Sequence, residues 1–162
     1  MNSLTADTAL ISLQLQQLLM EFAHEVDLNS GQNIGDFYTE DGAFLLGDFV
    51  YRGRETIVQF YKERAARVKA EEKDGVRTIR HTFVNMRAAI EENNRATLYF
   101  VSVYYSGGGK PPVPNLTGPT TVADCHIICR RDREGRWRIA EFKGTPIFLG
   151  GDQFLNKSLV KN

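Results

Sequence analysis

The chain of 162 residues is long enough for one domain with a substantial core, and its 20 basic and 20 acidic residues give a formal net charge of zero. A balanced charge does not favour nucleic-acid binding, and no apolar run approaches the length needed to cross a membrane. The first residues lack the positive segment of a secretory signal, so we expect a soluble cytoplasmic protein. Residues 1–162 should form a single domain, with a core over about 7–148 and a tail over 149–162.

The first half of the chain carries apolar residues at helical spacing. An amphipathic helix is predicted over about 7–27, followed by a short helix near 32–38. A hairpin should turn at Gly47-Asp48 before a second long helix that runs from about Arg54 into the Lys69 region. The stripe of the first helix is Ile11, Leu15, Leu18, Leu19, Phe22 and Val26, and that of the second is Ile57, Phe60, Tyr61, Arg64 and Val68.

The second half changes to the alternating pattern that is typical of strands. Strands are predicted at about 77–91, 95–106, 120–132 and 136–145, and the long irregular segment 107–119 between the middle pair is expected to be a mobile lid. Helices followed by a long antiparallel sheet indicate an α+β fold. A strongly twisted sheet that curls around the first helix would leave a cavity on its concave side.

The strand at 77–91 has two unlike faces. His81 lies on a face that mixes apolar and polar residues, which is typical of a ligand pocket. A single histidine in a strand is more often a hydrogen-bonded structural residue, and this stretch alone leaves both interpretations open. The mixed face is Ile79, His81, Phe83 and Asn85, and the other face is Thr82, Val84, Met86, Ala88 and Ile90. We expect the second face to mediate a symmetric homodimer.

The spacing of the cysteines and histidines argues against a disulfide and against a metal site. Cys125 and Cys129 would lie roughly 13 Å apart along a strand, too far for a disulfide, so we expect them to be small core residues in a reducing compartment. The three histidines and two cysteines show no spacing that is typical of metal ligands, and we therefore expect no metal.

His126 is a second candidate for the pocket. It shares a strand face with Val122, Asp124 and Ile128, and Asp124 could pair with it directly. Two interpretations stay open for this pair. It belongs either to a second polar cluster in the pocket or to a cross-strand pair exposed at a rim.

Five motifs along the chain together resemble one known group of proteins. They are Val26-Asp27, Asp41-Gly42-Ala43, Tyr51-Arg52-Gly53-Arg54-Glu55, Arg80-His81-Thr82 with Asn85, and Glu134-Gly135-Arg136-Trp137-Arg138-Ile139. On these motifs the chain resembles the SnoaL-like group of the nuclear-transport-factor-two-like (cystatin-like) superfamily, which is similar to scytalone dehydratase and hexachlorocyclohexane dehydrochlorinase. The resemblance covers about 10–148. It implies an α+β cone, in which a curved antiparallel sheet wraps around N-terminal helices and encloses a pocket.

The resemblance also implies a catalytic site built on Asp27 and His81. Asp27 matches the helix-end aspartate of the dehydratase and the dehydrochlorinase, although the helical wheel places it only at the border of the apolar stripe. His81 matches their strand histidine, which acts as general base while the aspartate orients it. The chain departs from the dehydratase at Val26, where that family has tyrosine, and in the strand that carries its second catalytic histidine. Contacts with substrate are expected from Tyr51, Tyr104, His126, Asn85 and Phe83.

The expected activity is that of a small lyase or isomerase that needs no cofactor and acts on a small hydrophobic or cyclic molecule. A proton would leave a carbon next to an electron-withdrawing group, followed by loss of water or halide or by reprotonation elsewhere. The alternatives are a non-catalytic assembly subunit, resembling the small subunit of aromatic-ring-hydroxylating dioxygenases, and a protein that binds a small ligand without turnover.

Overall fold

A computed structural model of the chain describes residues 5–92, 94–116, 118–156 and Leu159. A hairpin separates the two long helices, and the remaining four strands follow the second helix, in agreement with the predicted order. The helices are α1 (Ala6–Asn29), α2 (Arg54–Glu71) and α3 (Gln153–Asn156), with short 3-10 helices at Ile34–Phe37 and Lys73–Gly75. The strands are β1 (Tyr38–Leu46), β2 (Phe49–Arg52), β3 (Arg77–Glu92), β4 (Arg95–Gly108), β5 (Thr121–Arg131) and β6 (Trp137–Leu149).

The six strands form one curved, unclosed sheet in the order β2-β1-β6-β5-β4-β3. Every neighbouring pair is antiparallel except β1 and β6, which run parallel, so the sheet is mixed. The inner face of the sheet packs on α1 and α2, and the outer face points away from them. The expected α+β class is confirmed. None of the helices within the described residues has the length and apolar character needed to span a membrane.

The apolar stripe of α1 forms the centre of the core. Five of its six predicted members are buried, whereas Leu18 is only partly buried at the edge of the core. Full burial of a large apolar side chain contributes about 1.5–3 kcal/mol, so this stripe contributes several kcal/mol to the packing of α1 on the sheet. The buried members are Ile11, Leu15, Leu19, Phe22 and Val26.

The C-terminal end of α1 is held tightly against α2. Ser30 ends the helix in the left-handed region, with a φ of 57°, and Gly31 follows with a φ of 73°. A Cβ atom on Gly31 would lie only 2.3 Å from Cδ1 of Tyr61. Glycine is therefore required there both by the backbone conformation and by the close approach of the Tyr61 ring.

The inner and outer faces of β3 exchange at a β-bulge. The register with β4 shifts just after Val84, where Asn85 adopts a φ of 55°. Before the bulge Val84 is exposed on the outer face, whereas Ala88 and Ile90 beyond it pack against the core. The prediction that Val84, Met86, Ala88 and Ile90 share one face is therefore wrong beyond the bulge, because one extra residue inverts the alternation.

The described part of the expected tail, 149–162, packs on the domain. Asp152 forms an ion pair with Arg77 at the start of β3, and the ring of Phe154 lies 4.5 Å from the Arg77 guanidinium carbon. Farther along, the side chain of Leu159 is buried, with 2% of its surface exposed. These contacts attach the described part of the segment to the start of β3.

We predict that Gly31→Ala is far more destabilising than Gly135→Ala. Both glycines have a positive φ, 73° and 78°, but a Cβ on Gly135 would meet no atom within 4 Å. Gly135→Ala should therefore cost only the conformational strain, about 1–2 kcal/mol, whereas Gly31→Ala adds the overlap with Tyr61 and should cost about 2–5 kcal/mol. Urea unfolding with an unchanged m-value measures both. Equal costs would show that the α1–α2 contact is looser than the structure indicates.

Candidate functional site

A cavity of about 100 Å³ lies between the inner face of the sheet, α1 and α2. A space of this size holds several water molecules or one small ring. Its wall is mainly apolar, with four polar side chains among it, which is the composition of a small-molecule site. The polar members are Arg64, His81, Ser102 and Thr121, and the aromatic ones are Phe22, Phe44, Phe60, Tyr61, Tyr104 and Phe142.

Asp27 and His81 meet at the wall of this cavity. Oδ1 of Asp27 lies 2.6 Å from Nδ1 of His81, and Oδ2 accepts the backbone N–H of His81 at 2.9 Å. The side chains are 8% and 19% exposed. One carboxylate therefore holds both the ring and the backbone of the same histidine.

This contact determines which ring nitrogen of His81 is available. A carboxylate can only accept a hydrogen bond, so in the neutral imidazole Nδ1 carries the hydrogen and Nε2 keeps the lone pair. Among the described residues no group forms a hydrogen bond with Nε2. The site therefore presents a potential base at Nε2, with its tautomer set by Asp27.

The position of Asp27 in α1 is electrostatically unusual. It lies in the last turn, where the negative end of the helix dipole disfavours a carboxylate, and the last turn contains no basic residue. The hydrogen bonds from His81 offset this cost.

Tyr104 and Arg64 lie beside the pair. The ring centroid of Tyr104 is 4.6 Å from that of His81, and the Tyr104 hydroxyl accepts a hydrogen bond from Nη2 of Arg64 at 3.2 Å. Of the five residues expected to contact substrate, Tyr104 alone lines the cavity.

Tyr51 and Phe83 lie close to the cavity without lining it. The Tyr51 ring packs 4.4 Å from that of Phe60, and burial raises the pKa of its hydroxyl above the ordinary value. The Phe83 ring lies 5.9 Å from His81 and 5.1 Å from Phe100. Both residues therefore support side chains of the wall.

Asn85 and His126 lie away from the cavity, contrary to expectation. Asn85 is exposed at the β-bulge. His126 lies on the outer face of β5, where its Nε2 is 3.2 Å from Oε1 of Glu141 rather than paired with Asp124. The inner face of β5 consists of the alternate residues, so the polar face that carries His126 points away from the helices.

Sequence reasoning did not assign Arg64, Ser102 or Thr121 to the site. Arg64 carried a usable signal, because a cation within the apolar stripe of α2 needs a polar partner at its tip. Ser102 and Thr121 carried none, since small hydroxyl residues are common in strands.

The C-terminal segment contributes to the cavity wall, unlike the described part of the loop at 107–119 that was expected to be the lid. Leu155 lines the cavity, and none of the described residues of 107–119 does so. Gly107 and Gly108 continue β4, and Gly109 forms a bridge with Arg77, so the irregular stretch is shorter than predicted.

Cys125 contributes a small apolar group to the wall. Both cysteines are free and buried as expected, and burial raises the pKa of each thiol to about 12, so both stay protonated at neutral pH. Within the described ranges, no three His, Cys, Asp or Glu side chains are close enough to hold a metal ion.

Comparisons with known proteins agree on the fold. The family model of the SnoaL-like domain matches residues 7–143. A protein from Catenulispora acidiphila has a TM-score of 0.72 at 22% identity, over 88% of this chain and 95% of that one. A candidate scytalone dehydratase from Novosphingobium aromaticivorans has a TM-score of 0.69 at 10% identity, over 90% and 89%. A nuclear-transport-factor-two-like protein with a cystatin-like fold, from the same organism, has a TM-score of 0.66 at 18% identity, over 100% and 99%. No curated protein sequence matches significantly.

Proposed function

Since the chain belongs to the SnoaL-like domain family, we propose that it is a small lyase or isomerase that works without a cofactor on a small hydrophobic or cyclic molecule. The observation that carries this proposal is the contact between Asp27 and His81 at the cavity wall. The structural similarity to a candidate scytalone dehydratase supports the proposal only at the level of the fold, which the two proteins share. The two buried, free cysteines suit the reducing cytoplasm, where we place the protein.

The geometry supports proton abstraction from carbon. Nε2 of His81 takes a proton from a carbon next to an electron-withdrawing group, and the Asp27 carboxylate stabilises the imidazolium that forms. The electron pair of the broken C–H bond then expels hydroxide or halide from the neighbouring carbon. In an isomerase the same pair takes up the proton at another carbon.

The size and lining of the cavity limit the substrate. A volume of about 100 Å³ with six aromatic side chains in its wall suits a compound with one ring. Cyclic ketones, phenols and polyketide-like compounds should therefore be screened for an increase in melting temperature, since a ligand that binds only the folded state stabilises it.

Asp27→Asn should reduce turnover of a substrate found in this way by about a hundredfold to ten-thousandfold. The Asn amide oxygen can still accept the His81 backbone N–H, but its NH₂ group must then face Nδ1. The imidazole would carry its hydrogen on Nε2 and lose the base. Initial rates of product formation measure the loss, and His81→Ala should abolish activity while the protein stays folded.

Glu141→Gln is the matched control for this substitution. It alters the carboxylate of the second histidine–carboxylate pair, which lies on the outer face. Turnover should be unchanged in this variant. Equal rates in Asp27→Asn and Glu141→Gln would contradict the role of Asp27. Binding of a ligand with no turnover by the unmodified protein would instead favour the function of a ligand-binding protein.

We also propose a homodimer formed through the outer face of the sheet. An apolar patch runs across four neighbouring strands there, and exposed apolar surface of this kind is typical of interfaces. Val84 and Phe148, on two of these strands, are 40% and 68% exposed. The patch is Val84, Val101, Val103, Val122 and Phe148, which neighbour one another in the strand register.

Val103→Glu should convert the protein to a monomer, because it places a charge in the middle of the outer patch. Leu13→Glu is the control, since Leu13 is 63% exposed on α1, on the opposite side of the domain. Light scattering after size-exclusion chromatography should give twice the mass of the chain for the unmodified protein and for Leu13→Glu. A monomeric unmodified protein at micromolar concentration would contradict the proposed dimer.

A further inference from the structure

Three side chains stand in one row across neighbouring strands of the inner face. His81 on β3 is directly opposite Tyr104 on β4, and Tyr104 is directly opposite Thr121 on β5. All three line the cavity. The potential base at one end of the row therefore faces the same space as two hydroxyl groups, and rigid strands determine their spacing.

Arg64 adds a positive charge to this row. Its Nη2 donates to the Tyr104 hydroxyl oxygen at 3.2 Å, and within the described part of the chain no carboxylate forms an ion pair with it. A guanidinium that is partly buried at a cavity wall without a carboxylate favours a ligand atom that carries negative charge.

Both hydroxyl groups carry a hydrogen that no described residue accepts. The Tyr104 oxygen already accepts from Arg64, so its own hydrogen is available for another acceptor. Oγ1 of Thr121 is buried and has no hydrogen-bond partner among the described residues. An unpaired buried hydroxyl is costly, and a ligand oxygen in the cavity would satisfy it.

We propose that Arg64, Tyr104 and Thr121 form an oxyanion-binding subsite, and that the substrate is a one-ring compound whose carbonyl oxygen occupies it. This inference rests on the proposed function, because it places the carbonyl oxygen opposite the base that acts on the adjacent carbon. Tyr104 and Thr121 donate to the oxygen directly. Arg64 strengthens the donor of Tyr104 by polarising its hydroxyl.

The subsite stabilises the intermediate that proton abstraction creates. When His81 removes the proton, the C–H electron pair forms a carbon–carbon double bond and the carbonyl π pair moves to the oxygen, giving an enolate. Its negative charge develops at the oxygen to which Tyr104 and Thr121 donate. When the pair on oxygen re-forms the carbonyl, the carbon–carbon π pair of the enolate forms a new double bond to the next carbon and expels its hydroxide, which leaves as water with the imidazolium proton, or its halide. In an isomerase the carbon–carbon π electrons instead take up the imidazolium proton at another carbon.

4-Nitrophenol is a suitable probe, because its phenolate resembles an enolate on a ring and absorbs at a longer wavelength than the phenol. The unmodified protein should bind it and shift its ionisation towards the phenolate. Tyr104→Phe and Arg64→Met should each weaken binding of the phenolate by about tenfold to a hundredfold, as expected for loss of a hydrogen bond to a charged group. Thr121→Val, which keeps the side-chain shape, should weaken it less.

Two controls separate the subsite from general packing. Tyr105→Phe removes the next hydroxyl on β4, which does not line the cavity, and should leave the phenolate band unchanged. 4-Nitrotoluene, which cannot ionise, should bind all of these variants equally. Unfolding midpoints identify any variant that fails to fold. If Arg64→Met fails to fold, Tyr104→Phe and Thr121→Val still decide the test, because they remove a hydroxyl group without shortening the side chain.

His81→Phe distinguishes the subsite from the base. The phenolate band should persist in this variant, because Tyr104 and Thr121, with Arg64 behind Tyr104, hold the anion. A band that disappears in His81→Phe but survives in Tyr104→Phe and Arg64→Met would overturn the subsite, and so would tighter binding of benzoate than of 4-nitrophenol. If the phenolate results hold but no ring ketone is turned over, the subsite stands and the proposed function fails. If turnover depends on Asp27 but not on Tyr104 or Arg64, the proposed function stands and the subsite fails.

Discussion

The carboxylate of Asp27 connects the end of α1 to the middle of β3, and the site depends on this connection. Its two oxygens accept from the ring and from the backbone of one histidine, so they restrain the orientation of the imidazole and the position of the strand together. A hydrogen bond to a charged group is worth about 1.5–3 kcal/mol, and removal of one partner would leave a nearly buried charge unpaired. The contact between α1 and β3 therefore fixes both the position and the orientation of the His81 imidazole.

The rest of the fold serves this connection by fixing where α1 ends. Gly31 allows the chain to turn against the ring of Tyr61, which brings the last turn of α1 next to α2. The strand register then sets His81, Tyr104 and Thr121 in one row, and Arg64 reaches the row from α2. The cavity thus has a base and a group of donors on elements that pack rigidly against one another.

Sequence reasoning predicted the elements well because their periodicity was strong. The stripe of α1 and the alternation of β4, β5 and β6 leave little freedom in the fold. The exchange of faces in β3 could not be predicted, because a bulge depends on the pairing with β4, and only Asn85, which tolerates a positive φ, hinted at it. The sequence also did not show which face of the sheet carries His126. The alternating pattern of β5 separates two faces but does not say which of them packs on the helices. The proximity of Asp27 and His81 was predicted from the family resemblance alone. A helical wheel places Asp27 at the border of the apolar stripe but does not show which residue lies opposite it.

The most direct test of the proposal that Asp27 and His81 act together is a measurement of hydrogen exchange. Proton NMR in D₂O monitors the rate at which the α-hydrogen of a ring ketone is replaced by deuterium. The ketone should be one that stabilises the protein, and its affinity for each variant should be measured in parallel. The account predicts that the unmodified protein accelerates exchange, and that Asp27→Asn slows it by about a hundredfold to ten-thousandfold while the ketone binds equally well. Equal exchange rates in the unmodified protein and in Asp27→Asn would contradict this account. So would exchange at the uncatalysed rate when the ketone is bound to the unmodified protein.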